Sequence, residues 1–424
     1  MWQRHAGRAE ANKKIRRQGS FLPNTYGPAY KREISGKKET FVKIGFDISQ
    51  TAGEKAGCGF LADQLIRSLL AVDKTNEYLL YPIFYQYRDP NYQQVTIPNA
   101  KNCKVHFSGM SFQDIIQGWD TANNDRTQWL GSPDLIHSNN FSCIKDHKAR
   151  IVYTLYDTSP IAHPEFMTEE NRLICFEGIF NASIFADHCI AISEYTKKTF
   201  LDYFPHYPED RITVIGLGTR PTIKIVKSLT RRKKTLNKFN IKGEFWLGVG
   251  TIEPRKNYKQ LIDAYSELND HRPLVIAGGK GWLESDLVEK VRNSSKQDRV
   301  RFLGYISDEE LSVLYSSCLA FIYPSYYEGF GLPVLEAMTC GAAVITSVTS
   351  GLPEVGGDAV LYVTPSSRDS LLRAMRLLMS NSNLIQELRM KSRKHAMKFS
   401  WAAAAKKTLE VYEKTLKTKP WFDK

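Results

Sequence analysis

The feature that most constrains this chain is an alternation of strand and helix patterns that runs twice, in two series separated by a short basic break. The first series opens with VKIGFDIS (42–49), a Gly-containing loop Gly53–Gly59, and FLADQLIRSLL (60–70), whose apolar residues fall at helical spacing. Buried-strand patterns follow at YLLYPIF (78–84), DLIHS (134–138), RIVYTLY (150–156), CIAIS (189–193) and RITVIGL (211–217), with helix patterns at 168–186 and 195–203. The second series has strands at 245–250, 273–279, 299–305, 318–325, 342–347 and 359–363, with helix patterns at 258–269, 283–295, 308–316 and 333–340. Strands alternating with helices imply parallel βαβ units. The pattern predicts an α/β chain of two Rossmann-like doubly wound domains facing across a cleft, over 39–218 and 243–398. Residues 219–242 would link them, and a last helix and tail over 399–424 would pack back toward the first domain. Ligands of such sheets sit beyond the carboxyl ends of the strands.

Charge narrows the partners. The 424 residues carry a formal net charge of +13, a balance that invites a nucleic-acid or membrane reading. The excess has addresses. Residues 1–38 carry +8 and read as a mobile basic arm. The linker 219–242 holds nine Lys/Arg and no acid, and what remains of the chain is slightly acidic at −4. No base-stacking nucleic-acid motif accompanies the charge, so nucleic acid is not expected as a partner. The two basic segments instead point to an anionic membrane surface. The seven cysteines are odd in number, widely spaced and without C-x-x-C, which argues against a zinc ribbon or disulfide scaffold and for small buried hydrophobes. No apolar run reaches the ~18–20 residues of a membrane span, and the first residues form no secretory h-region. A cytoplasmic location is expected, peripheral at the inner face of the membrane.

Four constellations could carry chemistry. In PSYYEGFGLPVLEAMTCG (324–341) a strand ends at Pro324, Glu328 and a Gly-Phe-Gly turn (329–331) follow, and Glu336 lies about one turn into a helix. Glycines let backbone approach a ligand, and a helix N-terminus suits a diphosphate. Glu336 could accept from two vicinal hydroxyls. In GVGTIEPRKN (248–257), Arg255 and Lys256 stand at a helix start, where cations are unfavourable unless an anion is their partner. Ion pairing within the turn, for instance to Glu253, is the alternative. Gly57-Cys58-Gly59 opens a helix, and turn geometry alone could require its glycines. No G-x-G-x-x-G follows a strand, which counts against a nicotinamide enzyme. In YDTSPIAHPEF (156–166) Tyr156 and Asp157 would face the cleft, Asp157 being alternatively a turn or N-cap residue and His163 a loop residue.

With those residues in view, the chain resembles the retaining glycosyltransferases of family 4, with GT-B architecture, over about Val42 to Leu416. The E-x7-E string of Glu328 and Glu336 carries most of the likeness. GTIEPRKN, the Gly57–Gly59 turn, AISEYTKK (191–198), GLPEVGGDA (351–359) and FSWAAAAKKTLEVYEKTL (399–416) also match. Within the family it is similar to bacterial mannosyltransferase-like enzymes of surface-polysaccharide assembly.

The resemblance implies a donor site. Glu336 would hold the nucleotide ribose, and Arg255, Lys256, Gly57, Gly59, Gly331 and Leu332 the diphosphate. Glu328, Gly329 and Phe330 would hold the sugar, with Glu328, Asp157 and Tyr156 as the catalytic set. Tyr156 stands where many members have His, which puts the donor sugar in question. The implied substrates are a nucleotide sugar, GDP-mannose first and a UDP-sugar second, and a saccharide or lipid-linked acceptor. No cofactor and no metal are implied. The alternatives are another GT-B sugar-nucleotide enzyme, such as an epimerase, or a catalytically silent binding subunit.

Overall fold

In a computed structural model the described residues are 41–422, without 54, 56, 86–87, 122–125, 140–141, 146, 280, 282–284 and 293–297. The basic arm lies outside them. Residues from Phe41 onward form one compact unit built on two parallel sheets.

The first sheet has seven strands: β1 (Lys43–Asp47), β2 (Glu77–Tyr81), β3 (Cys103–Val105), β4 (Leu135–Asn139), β5 (Arg150–Leu155), β6 (His188–Ala191) and β7 (Ile212–Val214), in the order β3-β2-β1-β4-β5-β6-β7. The second has six: β8 (Trp246–Val249), β9 (Leu274–Ala277), β10 (Val300–Gly304), β11 (Ala320–Tyr323), β12 (Val344–Ser347) and β13 (Leu361–Val363), in the order β10-β9-β8-β11-β12-β13. The central strands are buried on both faces, which is why they read as continuous apolar runs. Strand order reverses between β1 and β4 and between β8 and β11, so each sheet has a crevice at the carboxyl end of its first strand.

Strand β3 has no counterpart in the sequence reading. It is three residues, Cys103–Val105, at a sheet edge with Lys104 exposed, too short and too polar to form an apolar run. The basic segment does form a helix, Leu229–Lys238, started by the Ser228 side chain accepting from Arg231 N–H. The last helix, Trp401–Lys417, lies on the helix Gly57–Val72 and on β5. Its Tyr412 hydroxyl meets His137 Nδ1 at 2.5 Å, and His137 Nε2 meets Thr154 Oγ1 at 2.7 Å. Burial holds His137 well down, to about 3, so it packs as a neutral ring.

Asp47, the last residue of β1, is 2% exposed and accepts from Ser49 N–H at 2.9 Å and Ser49 Oγ at 2.6 Å. Burial outweighs these bonds and raises its carboxyl to about 7. An unfolded Asp titrates near ~3.9, so between pH ~4 and ~7 the folded chain holds a proton that the unfolded chain has lost. Stability contributed here is therefore lost as pH rises through that window, by up to about 4 kcal/mol at pH 8. Asp47→Asn is expected to raise the melting temperature at pH 8 and to leave it unchanged near pH 4; a shift independent of pH would contradict this.

Candidate active site

The chain leaving β8 passes Gly250, and a Cβ on Gly278 at the exit of β9 would come within 2.0 Å of the Gly250 carbonyl. Only glycine lets these two exits run side by side. A single 3-10 turn, Pro254–Lys256, follows. Asn257 then adopts a left-handed conformation (φ 59°) and donates to Pro324 O at 3.1 Å and Pro365 O at 2.8 Å. That side chain ties the Arg255–Lys256 turn to the loop after β11.

The loop after β11 places Glu328 against both cations. Lys256 Nζ lies 2.7 Å from Glu328 Oε1, and Arg255 Nη1 lies 2.7 Å from Oε2. Tyr323 OH donates to Oε1 at 2.9 Å, and the Glu328 N–H donates to Ser350 Oγ at 2.9 Å. Glu328 is 6% exposed. Burial would raise its carboxyl, but Arg255 and Lys256 overcome that and hold it at about 2. Burial, and then Arg255, press the Lys256 ammonium below its ordinary value, while Glu328 and Glu253 oppose them. Glu253 is also buried and accepts from Arg255 Nη2 at 2.8 Å. The pairing within the turn that sequence offered as the alternative is thus present together with the pairing to Glu328. Two cations and two carboxylates form one buried, charge-balanced cluster.

Gly329 presses this loop against the first half of the molecule. Its carbonyl accepts from Ser193 Oγ at 2.6 Å, and a Cβ there would sit 1.9 Å from the Tyr156 carbonyl. Glu354, from the helix Leu352–Gly356, accepts from Glu194 N–H and Tyr195 N–H, each at 2.8 Å. A carboxylate there meets the unpaired donors and positive dipole end of the helix Glu194–Tyr203. Sequence gave no sign of this contact, because it depends on how the two halves meet.

The remaining residues fall into place unevenly. Gly331 caps the helix Leu332–Thr339 with φ 109°; Pro333 has no N–H and the Val334 N–H donates to the Gly331 carbonyl at 3.0 Å, so Leu332 carries the first-turn N–H that the helix itself does not engage. Glu336, 4% exposed, takes Arg220 Nε at 2.7 Å on Oε1 and Tyr315 OH at 3.4 Å on Oε2. Burial raises its carboxyl and Arg220 opposes that. Gly59 is packed so that a Cβ would lie 2.3 Å from the Gln50 carbonyl, whereas one on Gly57 would meet nothing within 4 Å. Tyr156 brings its carbonyl, not its hydroxyl, to the Gly329 loop; the hydroxyl is buried without a hydrogen-bond partner among the described residues. Asp157 acts as the turn residue offered as its alternative, accepting from Ser159 N–H at 2.9 Å and Ser159 Oγ at 2.6 Å. His163 pairs with Glu165 at 3.0 Å in the loop.

Comparison with solved structures fits this architecture. The chain superposes on Anabaena Alr3699/HepE in complex with UDP and glucose with a TM-score of 0.66, covering 88% of this chain and 100% of that one at 18% identity. It superposes on sucrose-phosphate synthase from Thermosynechococcus elongatus with a TM-score of 0.67 at 20% identity, covering 88% and 98%. The fold is GT-B. Residues 231–398 match the family model described as glycosyl transferases group 1. The chain is 31% identical over 269 residues to O-antigen chain mannosyltransferase B of Escherichia coli, covering 62% of this chain and 70% of the relative. It is 31% identical over 243 residues to the serotype-specific mannosyltransferase WbdA of Escherichia coli, covering 55% of this chain but only 29% of that longer relative. The protein therefore belongs to the glycosyl transferases of group 1.

Proposed function

We propose that the protein transfers a hexose, mannose first, from a nucleotide sugar, GDP-mannose first and a UDP-sugar second, to a saccharide or lipid-linked acceptor in polysaccharide synthesis. Transfer retains the anomeric configuration and uses no metal. The observation that carries this reading is the Glu328 carboxylate clamped between Lys256 and Arg255 beside the Gly329–Leu332 turn. Four of the five guanidinium N–H donors of Arg255 go to Glu253, Glu328 and the Tyr327 carbonyl, and two of the three ammonium donors of Lys256 go to Glu328 and Tyr323 OH, so among the described residues each cation keeps one donor for a phosphate oxygen while still holding its carboxylates. Their charge, with the helix N-terminus at Leu332, stabilises the departing diphosphate. Glu328, ionised and acceptor-only, receives sugar hydroxyls. The C1–phosphate oxygen bond breaks on the face where the acceptor oxygen attacks, and the acceptor proton passes to the departing phosphate. A covalent route has less support, since Glu328 is engaged by two cations and Asp157 by Ser159. The mannosyltransferases among its relatives support the sugar.

The experiment is product analysis by NMR with GDP-mannose, with and without mannosylated acceptors, in the presence and absence of a chelator. An α-mannoside formed only with acceptor, chelator-insensitive, is expected. Conversion of the sugar nucleotide with no acceptor present would instead mark an epimerase.

The same reading places the enzyme at an anionic membrane surface, although no helix among the described residues is long and apolar enough to cross one. Part of the basic linker is used internally: Arg220 and Lys238 pair with acids, and Arg232 donates to the Val226 carbonyl. Arg231, Lys233 and Lys234 remain exposed on the helix Leu229–Lys238. Near anionic lipid each contributes ~1 kcal/mol. Neutralising these three with Gln is expected to weaken binding to phosphatidylglycerol vesicles by at least ~10-fold, with no change on phosphatidylcholine. Unchanged binding to both would remove the membrane role of this helix.

A further inference from the structure

Arg220 is counted in sequence among the cations of the linker, yet it is 13% exposed and makes three separate contacts. Its Nε holds Glu336 Oε1 at 2.7 Å. Its Nη1 pairs with Asp308, which also accepts from Thr222 Oγ1. Its guanidinium lies over the Phe60 ring, 4.3 Å from the centroid. Phe60 belongs to the helix Gly57–Val72, whose first turn is the Gly57–Gly59 loop. The backbone that delivers Arg220 is fixed as well: a Cβ on Gly218 would lie 2.6 Å from the Trp401 nitrogen.

These contacts divide the two oxygens of Glu336. Oε1 is taken by a charge-assisted bond of good length, whereas Oε2 has one long bond, 3.4 Å, from Tyr315. Arg220 also opposes the upward push that burial exerts on the Glu336 carboxyl. We propose that Arg220 is a positioning residue for the donor nucleotide: it fixes Glu336 so that Oε2 receives the ribose hydroxyls, and through Phe60 it ties that carboxylate to the loop at the cleft mouth. This rests on the reading of Glu336 as the ribose-holding residue. A Gln at 220 loses the fork; a Lys keeps the charge but not the simultaneous hold on Glu336, Asp308 and the ring.

The test compares binding of GDP with 2′-deoxy-GDP, and of UDP with 2′-deoxy-UDP, by calorimetry on the full chain and its variants. Wild type is expected to favour the ribose form of the nucleotide it binds. Glu336→Gln should abolish that preference. Arg220→Gln should cut it by at least ~10-fold, the scale of one charge-assisted hydrogen bond, and Arg220→Lys should recover part of it. Phe60→Leu, which keeps the apolar contact and removes the ring, should shift it in the same direction by less, and serves if Arg220→Gln fails to fold. A purely structural role for Arg220 lowers the melting temperature but leaves the ratio intact, and that result overturns the proposal. A Glu336→Gln protein that still prefers ribose, or a wild type that binds none of the four nucleotides, overturns the underlying reading instead.

Discussion

Alanine at Lys256 or at Glu328 is expected to lower turnover by at least about 100-fold, the scale of losing a charged contact to the transition state. The cluster explains why both positions are sensitive. Lys256 is 8% exposed and gives hydrogen bonds to Tyr323 OH at 2.6 Å and to Glu328 at 2.7 Å. Removing Glu328 takes away the largest influence that keeps this ammonium protonated, and leaves Glu253 as the carboxylate that Arg255 and Lys256 both contact. Glu328→Gln separates charge from shape. It keeps hydrogen bonding to Lys256 but drops the carboxylate charge, so the lysine loses its proton more easily. The residual activity of Glu328→Gln is therefore expected to rise as pH falls, where wild-type activity changes less. Near-wild-type transfer by both alanine variants would remove the cluster from the chemistry.

Gly329→Ala is expected to be nearly as damaging, although it removes no functional group. The added methyl would sit 1.9 Å from the Tyr156 carbonyl and 3.0 Å from Asp157 Cβ. Both neighbours are backbone or close to it, so the loop must move away from the first half. That breaks the 2.6 Å bond from Ser193 Oγ to the Gly329 carbonyl and displaces Glu328, its chain neighbour. Displacement of a reacting group by about 1 Å costs ~100-fold in turnover, and forced overpacking costs ~1–3 kcal/mol of stability. Steady-state turnover and a thermal melt on one preparation check this. Wild-type values of both would mean that the loop does not need its contact with Tyr156.

Much of this was legible in sequence because it is local. The alternating apolar runs give strands buried on both faces, and the end of each run locates a crevice. The E-x7-E string needs only a strand end, a glycine turn and one helical turn to place Glu328 and Glu336, all within 18 residues (324–341). What could not be read is set by long-range packing. Arg220 meets Asp308 and Glu336 across 88 and 116 residues, and nothing in GLGTRPT distinguishes it from its basic neighbours. Glu354 at the start of the helix Glu194–Tyr203 depends on a contact across about 160 residues. Glu253 was visible as a rival partner for Arg255, but sequence could not tell that the guanidinium serves Glu253 and Glu328 together. Tyr156 is the converse case. Its place at a strand end suggested a side chain in the cleft, and the fold brings its carbonyl there instead.

In the proposed reaction the buried Arg255–Lys256–Glu328 cluster receives the diphosphate of a nucleotide sugar. Thermal stabilisation by GDP-mannose, measured on the wild type and on Lys256→Ala at the same ligand concentrations, tests it most directly. A ligand at ~100 times its dissociation constant adds about 2.7 kcal/mol to folding stability. A saturable rise in melting temperature is expected for the wild type, larger than with mannose alone, and loss of most of that rise in Lys256→Ala. An equal rise in both proteins, or none with GDP-mannose or any UDP-sugar, would contradict it.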